Sequence, residues 1–467
     1  MSKYLKRKID TILLDWYQTQ GHSPALVYGI RQCGKSRSIQ EFANTHFQHV
    51  NSINFWTNPE AMNAFDGSLD VNEIIKKLSF QFKDFHYEPG KTIFLLDEIQ
   101  DCPRARLALK SFKEDGRFEV IASGSYIGLN LKQQRNANTP LPNGAEDVFC
   151  MKTMDFEEFL WASGYSEEQV GELLNYLKEK KPIPSAIHEK MKTLFKEYMC
   201  VGGYPETVSL YLTSNNFGVV YKKNESLIFD IKGDPAKRVD YGGNPLYTVT
   251  EISRIQKAFD LTLAFSLTDN KRFVLSRING NSYQRNDAVD YLLNANVVFK
   301  VNNVENPSLP LAIRKINSDF KLYYSDIGMM ITLCGFDTLN SLMQEKLGMN
   351  KGDVFEAAVA DSLYKADIQP FYFAKEGGLQ IDFVIAYHGV STLIEAKAKT
   401  GNTKSSKTVM AHPEHYGITR LIKFGDYNIG YENEILTLPY YLVFALGKKT
   451  RYRCKCWNKI KATSKFF

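Results

Sequence analysis

The sequence predicts an α/β fold, and three observations carry that prediction. From Tyr4 to about Phe159, short apolar runs alternate with amphipathic stretches, the pattern of a parallel sheet flanked by helices. Within it, Gly29-Ile30-Arg31-Gln32-Cys33-Gly34-Lys35-Ser36 has the spacing G-x-x-x-x-G-K-[ST] and lies between an apolar run and an amphipathic one. From Gly352 to Leu446 the α/β alternation returns. The chain has 467 residues, 44% hydrophobic and 24% charged, which is material for about two to four packed domains and excludes a disordered chain.

Taken in order, Ala25 to Tyr28, Ser52 to Phe55, Thr92 to Leu96 and Glu119 to Ala122 read as strands, and Ser38 to Ala43 as part of a helix. Asn130 to Asp147, rich in Asn, Gln, Pro and Gly, reads as a long exposed loop. Met154 to Tyr211 is mainly helical by its apolar spacing, with breaks at Gly164, Pro182 to Pro184 and Gly202-Gly203. Between Asn244 and Thr332 several helices precede a strand pair, and Asp287 to Leu293 leads into Val297 to Val301, as a winged helix would. A helix from Asp353 to Lys365 then precedes strands at Phe371 to Phe373, Ile381 to Tyr387 and Thr392 to Ala396.

No run approaches the roughly 18 apolar residues of a membrane helix. The basic Met1 to Asp10 leads into Thr11-Ile12-Leu13-Leu14-Asp15, too short and amphipathic for a signal peptide. A cytoplasmic protein with no membrane partner is expected. The seven cysteines are scattered and indicate neither a disulfide framework nor a zinc site. The net charge of +6 is concentrated in Lys448 to Phe467, which holds eight Lys or Arg and no acid. That basic, aromatic tail reads either as a surface for nucleic acid or anions or as a dispensable extension.

Around the phosphate loop the residue types define a nucleotide site. Glycines let backbone N–H groups turn toward phosphates, the following helix adds its positive end, Lys35 reaches the β and γ oxygens of ATP, and Ser36 binds Mg2+. Thr92-Ile93-Phe94-Leu95-Leu96-Asp97-Glu98 is an apolar strand delivering two acids to the sheet edge where phosphates sit. In that Walker B reading Asp97 holds the magnesium and Glu98 polarises the attacking water; otherwise both acids simply open the next helix. Ser123 and Ser125 end the following strand, as sensors of the γ-phosphate or as small residues in a turn. Arg104, Arg106, Arg135 and Arg238 are the candidates for an arginine finger, and spacing does not choose among them.

A second constellation lies near the C-terminus. If Ile381 to Tyr387 and Thr392 to Ala396 join through a two-residue turn at His388-Gly389, Asp382 and Glu395 become cross-strand neighbours. Alternation puts Lys397 on the same face. Two carboxylates and a lysine resemble the PD-(D/E)xK nuclease core, with Glu356 on the preceding helix as a further acid. E-x-K is also common on solvated strands.

Together these residues resemble bacterial and archaeal AAA-type P-loop ATPases, close to the so-called archaeal ATPases with a C-terminal domain of unknown function. Besides Gly29 to Ser36 and Leu96-Asp97-Glu98-Ile99-Gln100, the resemblance rests on Ser123-Gly124-Ser125, Phe156-Glu157-Glu158-Phe159-Leu160, Gly202-Gly203-Tyr204-Pro205-Glu206, Phe320-Lys321-Leu322-Tyr323 and Asp326-Ile327-Gly328. Gly352 to Glu356, Ile381-Asp382-Phe383 and Glu395-Ala396-Lys397 complete it. It implies an ATPase domain over 1–160, a helical lid over 161–240, a winged-helix-like domain over 241–335, a restriction-endonuclease-like domain over 336–446 and a basic tail over 447–467. By the same resemblance Lys35, Ser36, Asp97 and Glu98 serve the nucleotide, and Gln380 stands where the family usually has Glu. The expected function is Mg-dependent ATP hydrolysis controlling DNA binding or processing by the C-terminal half. The alternative is a slow nucleotide-dependent switch acting on a protein partner, with an inactive nuclease-like domain. A homo-oligomer stays open by analogy.

Overall fold

In the computed structural model, which describes residues 3–125, 144–239, 243–268, 271–346, 351–376, 378–396 and 404–447, two sheets organise the chain. The first is parallel: β1 (Ala25–Gly29), β2 (His49–Asn54), β3 (Thr92–Asp97), β4 (Glu119–Gly124) and β5 (Asp147–Met151), in the order β2-β3-β4-β1-β5. Strand alternation sends successive side chains to opposite faces. Ala25, Val27, Ile93, Leu95 and Ile121 pack on Leu13, Trp16, Ile39 and Phe42 from the helices Lys8–Gln18 and Lys35–His46. Leu26, Phe94, Leu96, Val120 and Ala122 meet Ile74, Leu78, Leu109 and Phe112 from Val71–Gln81 and Pro103–Asp115 on the other face. Covering both faces is why β3 is apolar almost throughout.

The four predicted strands of this sheet are all present, and β5 is the addition. Asp147 opens β5 rather than closing a loop; the rest of that predicted loop, at 126–143, lies outside the described residues, as do Arg135 and the basic tail from 448.

Helices follow: Phe156–Ala162, Glu167–Glu179, Ser185–Val201, Pro205–Ser214, Phe217–Gly233, Val249–Ser266 and Ser282–Asn294. Reciprocal caps start several of them, at Asp155 with Glu158, Ser166 with Gln169, Thr248 with Glu251 and Asn281 with Gln284, satisfying first-turn amides that the helix itself leaves open.

The second sheet is mixed. It comprises β6 (Val298–Val304), β7 (Lys315–Tyr324), β8 (Phe371–Lys375), β9 (Leu379–Tyr387), β10 (Val390–Ala396), β11 (Arg420–Gly425), β12 (Gly430–Glu432) and β13 (Ile435–Pro439), in the order β12-β13-β11-β10-β9-β8-β6-β7. The helix Ser282–Asn294 does lead into the β6–β7 hairpin, but β6 pairs in parallel with β8 through Asn302 and Phe371. Strand pairing therefore crosses the division expected between 335 and 336.

One apolar cluster runs through the molecule, joining Val27 and Met151 of the first sheet to Tyr198, Ile327, Val359 and Leu442. Inside it the turn Gly202-Gly203 meets the start of the helix Ile327–Leu333, which Asp326 caps. The Asp326 carboxylate receives the Gly203 N–H at 2.8 Å and the Thr153 hydroxyl at 2.8 Å, and pairs with Lys365 at 3.2 Å. Lys365 also pairs with Asp361 at 3.0 Å and donates to the Tyr198 hydroxyl at 2.9 Å.

Candidate active site

Strand β1 delivers the loop Gly29 to Ser36 to the C-terminal edge of the first sheet, and Gly34 caps the helix Lys35–His46 in a left-handed conformation without a side-chain cap. The first-turn amides are thus left for an anion. A side chain at Gly29 would place its Cβ 1.9 Å from the Met151 carbonyl oxygen, so glycine is required by close approach of β5. Lys35 Nζ folds onto the loop's own carbonyls, 3.2 Å from Gly29 O and 2.9 Å from Ile30 O.

The acids arrive from the neighbouring strands. Ser36 Oγ donates to Asp97 Oδ2 at 2.9 Å, so the first residues of the loop helix meet the end of β3. Asn54, at the end of β2, donates to the same oxygen at 3.1 Å, and Ser123 from β4 donates to Asp97 Oδ1. Because β4 lies between β1 and β3, its last residues sit between phosphate loop and acids. Glu98 follows with φ 52° and ψ 43°, a left-handed conformation that costs a side-chain-bearing residue about 1–2 kcal/mol, and Gln100 donates to its carboxylate. Ser125 is buried at the same edge. Ser36 and Asp97 supply converging hydroxyl and carboxylate oxygens, a donor set that suits magnesium.

Behind the loop, Arg7 is almost fully enclosed. Its guanidinium reaches Glu158 at 3.0 Å, the Cys33 carbonyl at 2.7 Å and the Lys152 carbonyl at 2.7 Å. Arg7, Asn54 and Gln100 were not among the residues predicted from spacing. Of the finger candidates, Arg104 is bonded to the carbonyls of Phe65 and Gly67, and Arg106 pairs with Glu146. Arg238 pairs with Asp234 at 2.8 Å.

The second constellation is only partly assembled as expected. The turn His388-Gly389 does close β9 onto β10, whose pairing runs from Val390 and Tyr387 to Ile394 and Phe383, and Glu395 and Asp382 are the next residues on the two strands. Asp382 Oδ2 accepts the Ala396 N–H at 2.9 Å, and Glu395 accepts from Ser406. Lys397 lies outside the described residues. Glu356 is taken up elsewhere: Lys321 is 3.2 Å and Lys271 3.0 Å from its carboxylate, and the Tyr323 hydroxyl donates at 2.6 Å. Burial alone would raise its pKa, but Lys321 and Lys271 outweigh burial and hold it at about 2. Its oxygens already serve two ammonium groups and a phenol, so it does not fit as a magnesium ligand in this arrangement. Among the described residues no three His, Cys, Asp or Glu side chains converge as metal ligands.

Residues 21–160 match the family model of an AAA domain. That stretch, which carries the phosphate loop Gly29 to Ser36, is similar to AAA domains. None of the curated proteins matches the chain. Similar solved structures include a Walker-type ATPase of Pyrococcus abyssi, 13% identical, covering 71% of this chain and 96% of that one at a TM-score of 0.41. Two more are from Aeropyrum pernix: the ORC2 protein in ADPNP-ADP complexes (13%, 72% and 92%, 0.29) and the ORC1 protein in complex with DNA (11%, 73% and 91%, 0.27). Among the described residues no helix is long and apolar enough to cross a membrane.

Proposed function

We propose that the chain is a magnesium-dependent ATPase acting as a slow nucleotide-dependent switch, whose second sheet domain binds a partner rather than cutting it. The observation that carries the reading is the Ser36 to Asp97 hydrogen bond of 2.9 Å across the mouth of the phosphate loop. Loop amides bind the phosphates, and Lys35 exchanges the carbonyls of Gly29 and Ile30 for β and γ oxygens. Ser36 and Asp97 would hold magnesium, which when bound offsets the charge of the phosphates. Glu98 leaves Gln100 to orient the attacking water and accept its proton at the carboxylate. Equilibrium binding of ATP tests this: Lys35→Ala abolishes it and Glu98→Gln retains it, and binding unchanged in Lys35→Ala sinks the assignment.

A second reading, in which the nucleotide cycle drives DNA processing, is favoured by the buried carboxylates of Asp382 and Glu395 just beyond the β9–β10 pairing. It predicts magnesium-dependent DNA cleavage that disappears in Asp382→Ala. The lysine-filled surroundings of Glu356 support the switch instead, which predicts no cleavage in either protein.

A further inference from the structure

Arg31 occupies the second variable position of the phosphate loop, yet its partner belongs to the helical region. Arg31 Nη1 lies 2.5 Å from Asp234 Oδ1, in the single turn Asp234–Lys237 that follows the helix Phe217–Gly233. The other oxygen, Asp234 Oδ2, takes Arg238 Nε and Nη2, each at 2.8 Å, and the Tyr291 hydroxyl at 2.6 Å. Tyr291 projects from the helix Ser282–Asn294, and Tyr247 packs edge-on against its ring at 5.2 Å. One carboxylate therefore joins the phosphate loop, the end of a long helix and the helix that precedes β6.

The partners are unequal. The side chains of Asp234 and Arg238 are only 9% and 10% exposed, whereas that of Arg31 is 48% exposed. Arg31 can leave without stranding a buried anion, because Asp234 keeps Arg238 and Tyr291. A guanidinium fork donates to phosphate as readily as to carboxylate, and a triphosphate in the same loop carries several negative charges against the single charge of Asp234. With its Arg31 end half-exposed to water, the pair is weak enough to be displaced.

We propose that Asp234 competes with bound nucleotide phosphate for Arg31, so that filling the phosphate loop releases a tether to the helical region at Asp234, Arg238 and Tyr291. This rests on the nucleotide reading above and assigns Arg31 and Asp234 as the residues that carry occupancy outward. Asp234 is a positioning residue; Arg31 is the group that changes partner.

The test is calorimetric binding of a β,γ-imido analogue of ATP, with magnesium, to the full chain as wild type, Asp234→Asn, Arg31→Gln, the double variant and Lys35→Ala. Asp234→Asn keeps an acceptor for Arg238 and Tyr291 but loses the competing charge. It should bind about fivefold more tightly, the equivalent of an ion pair screened by water at one end, and the double variant should bind as Arg31→Gln does. Affinity unchanged or weakened in Asp234→Asn, or tightening that persists without Arg31, overturns the proposal while Lys35-dependent binding still upholds the nucleotide site. Binding that ignores Lys35 removes both. Should Asp234→Asn fail to fold, Arg31→Gln decides by amide hydrogen exchange: over 234–239 its nucleotide-free exchange should match that of loaded wild type, and exchange identical to nucleotide-free wild type overturns the tether.

Discussion

At Asp97, a carboxylate suited to a magnesium ion is held in place by Ser36, Asn54, Ser123 and the Glu98 N–H, so its oxygens are oriented before any ligand arrives. Arg7 does the equivalent for the loop backbone. Its side chain is 4% exposed and faces a Glu158 that is 5% exposed, so removing it leaves a buried carboxylate unpaired. Arg7→Ala should cost about 3–5 kcal/mol in urea unfolding, and Arg7→Lys should recover only part of that, because one ammonium cannot reproduce a fork serving three acceptors. A cost under about 1 kcal/mol would show that this pair behaves like a surface contact. The motif residues Gly29 to Ser36 were legible because eight consecutive positions encode their own geometry. Arg7, Asn54 and Asp234 were not, since each acts on a residue more than twenty positions away and leaves no local spacing to read.

Where the turn Gly202-Gly203 meets the first turn of the helix Ile327–Leu333, backbone touches backbone. A Cβ on Gly328 would lie 2.4 Å from Gly202 Cα, and one on Gly203 2.1 Å from the Met154 carbonyl oxygen. Gly328→Ala should therefore destabilise the protein by about 1–3 kcal/mol, measured by chemical denaturation, and a neutral substitution would mean that the two turns can separate freely. The same logic explains which elements could be read from sequence. Strand β3 is buried on both faces and announces itself by an unbroken apolar run, whereas β5 is an edge strand with only Met151 fully buried and follows a stretch rich in turn residues. The hairpin β6–β7 was visible as a helix followed by two strands, but its union with β8 depends on two residues in each strand, a pairing that no short-range pattern encodes. Strands β11 to β13 are three to six residues long and were not predicted at all. Glu356 was placed on the correct helix, but its engagement by Lys271 and Lys321 comes from elements more than thirty residues away.

The molecule is held together by a continuous apolar core with an ionic centre, Asp326, Lys365 and Asp361, all about 1% exposed. Two carboxylates share one ammonium there. Burial and the neighbouring Asp326 push Asp361 up to about 7 despite Lys365, against about 3.9 in an unfolded chain. The folded state then holds a proton that the unfolded state has released, so stability falls as pH rises between those values, by up to about 1.4 kcal/mol per pH unit. Asp361→Asn should flatten that slope in urea titrations from about pH 4 to about pH 7; an unchanged slope would assign the proton to another group. This centre also bonds Thr153, just after β5, and Gly203, just before Pro205, whose ring lies 3.3 Å from where a Gly34 Cβ would be. Changes at the phosphate loop thus meet the second domain through packed side chains rather than through a linker. Steady-state phosphate release with magnesium reports whether this loop hydrolyses ATP. Slow turnover that DNA does not accelerate and that is lost in both Lys35→Ala and Glu98→Gln is expected, whereas turnover surviving intact in both variants would mean that this loop does not hydrolyse ATP.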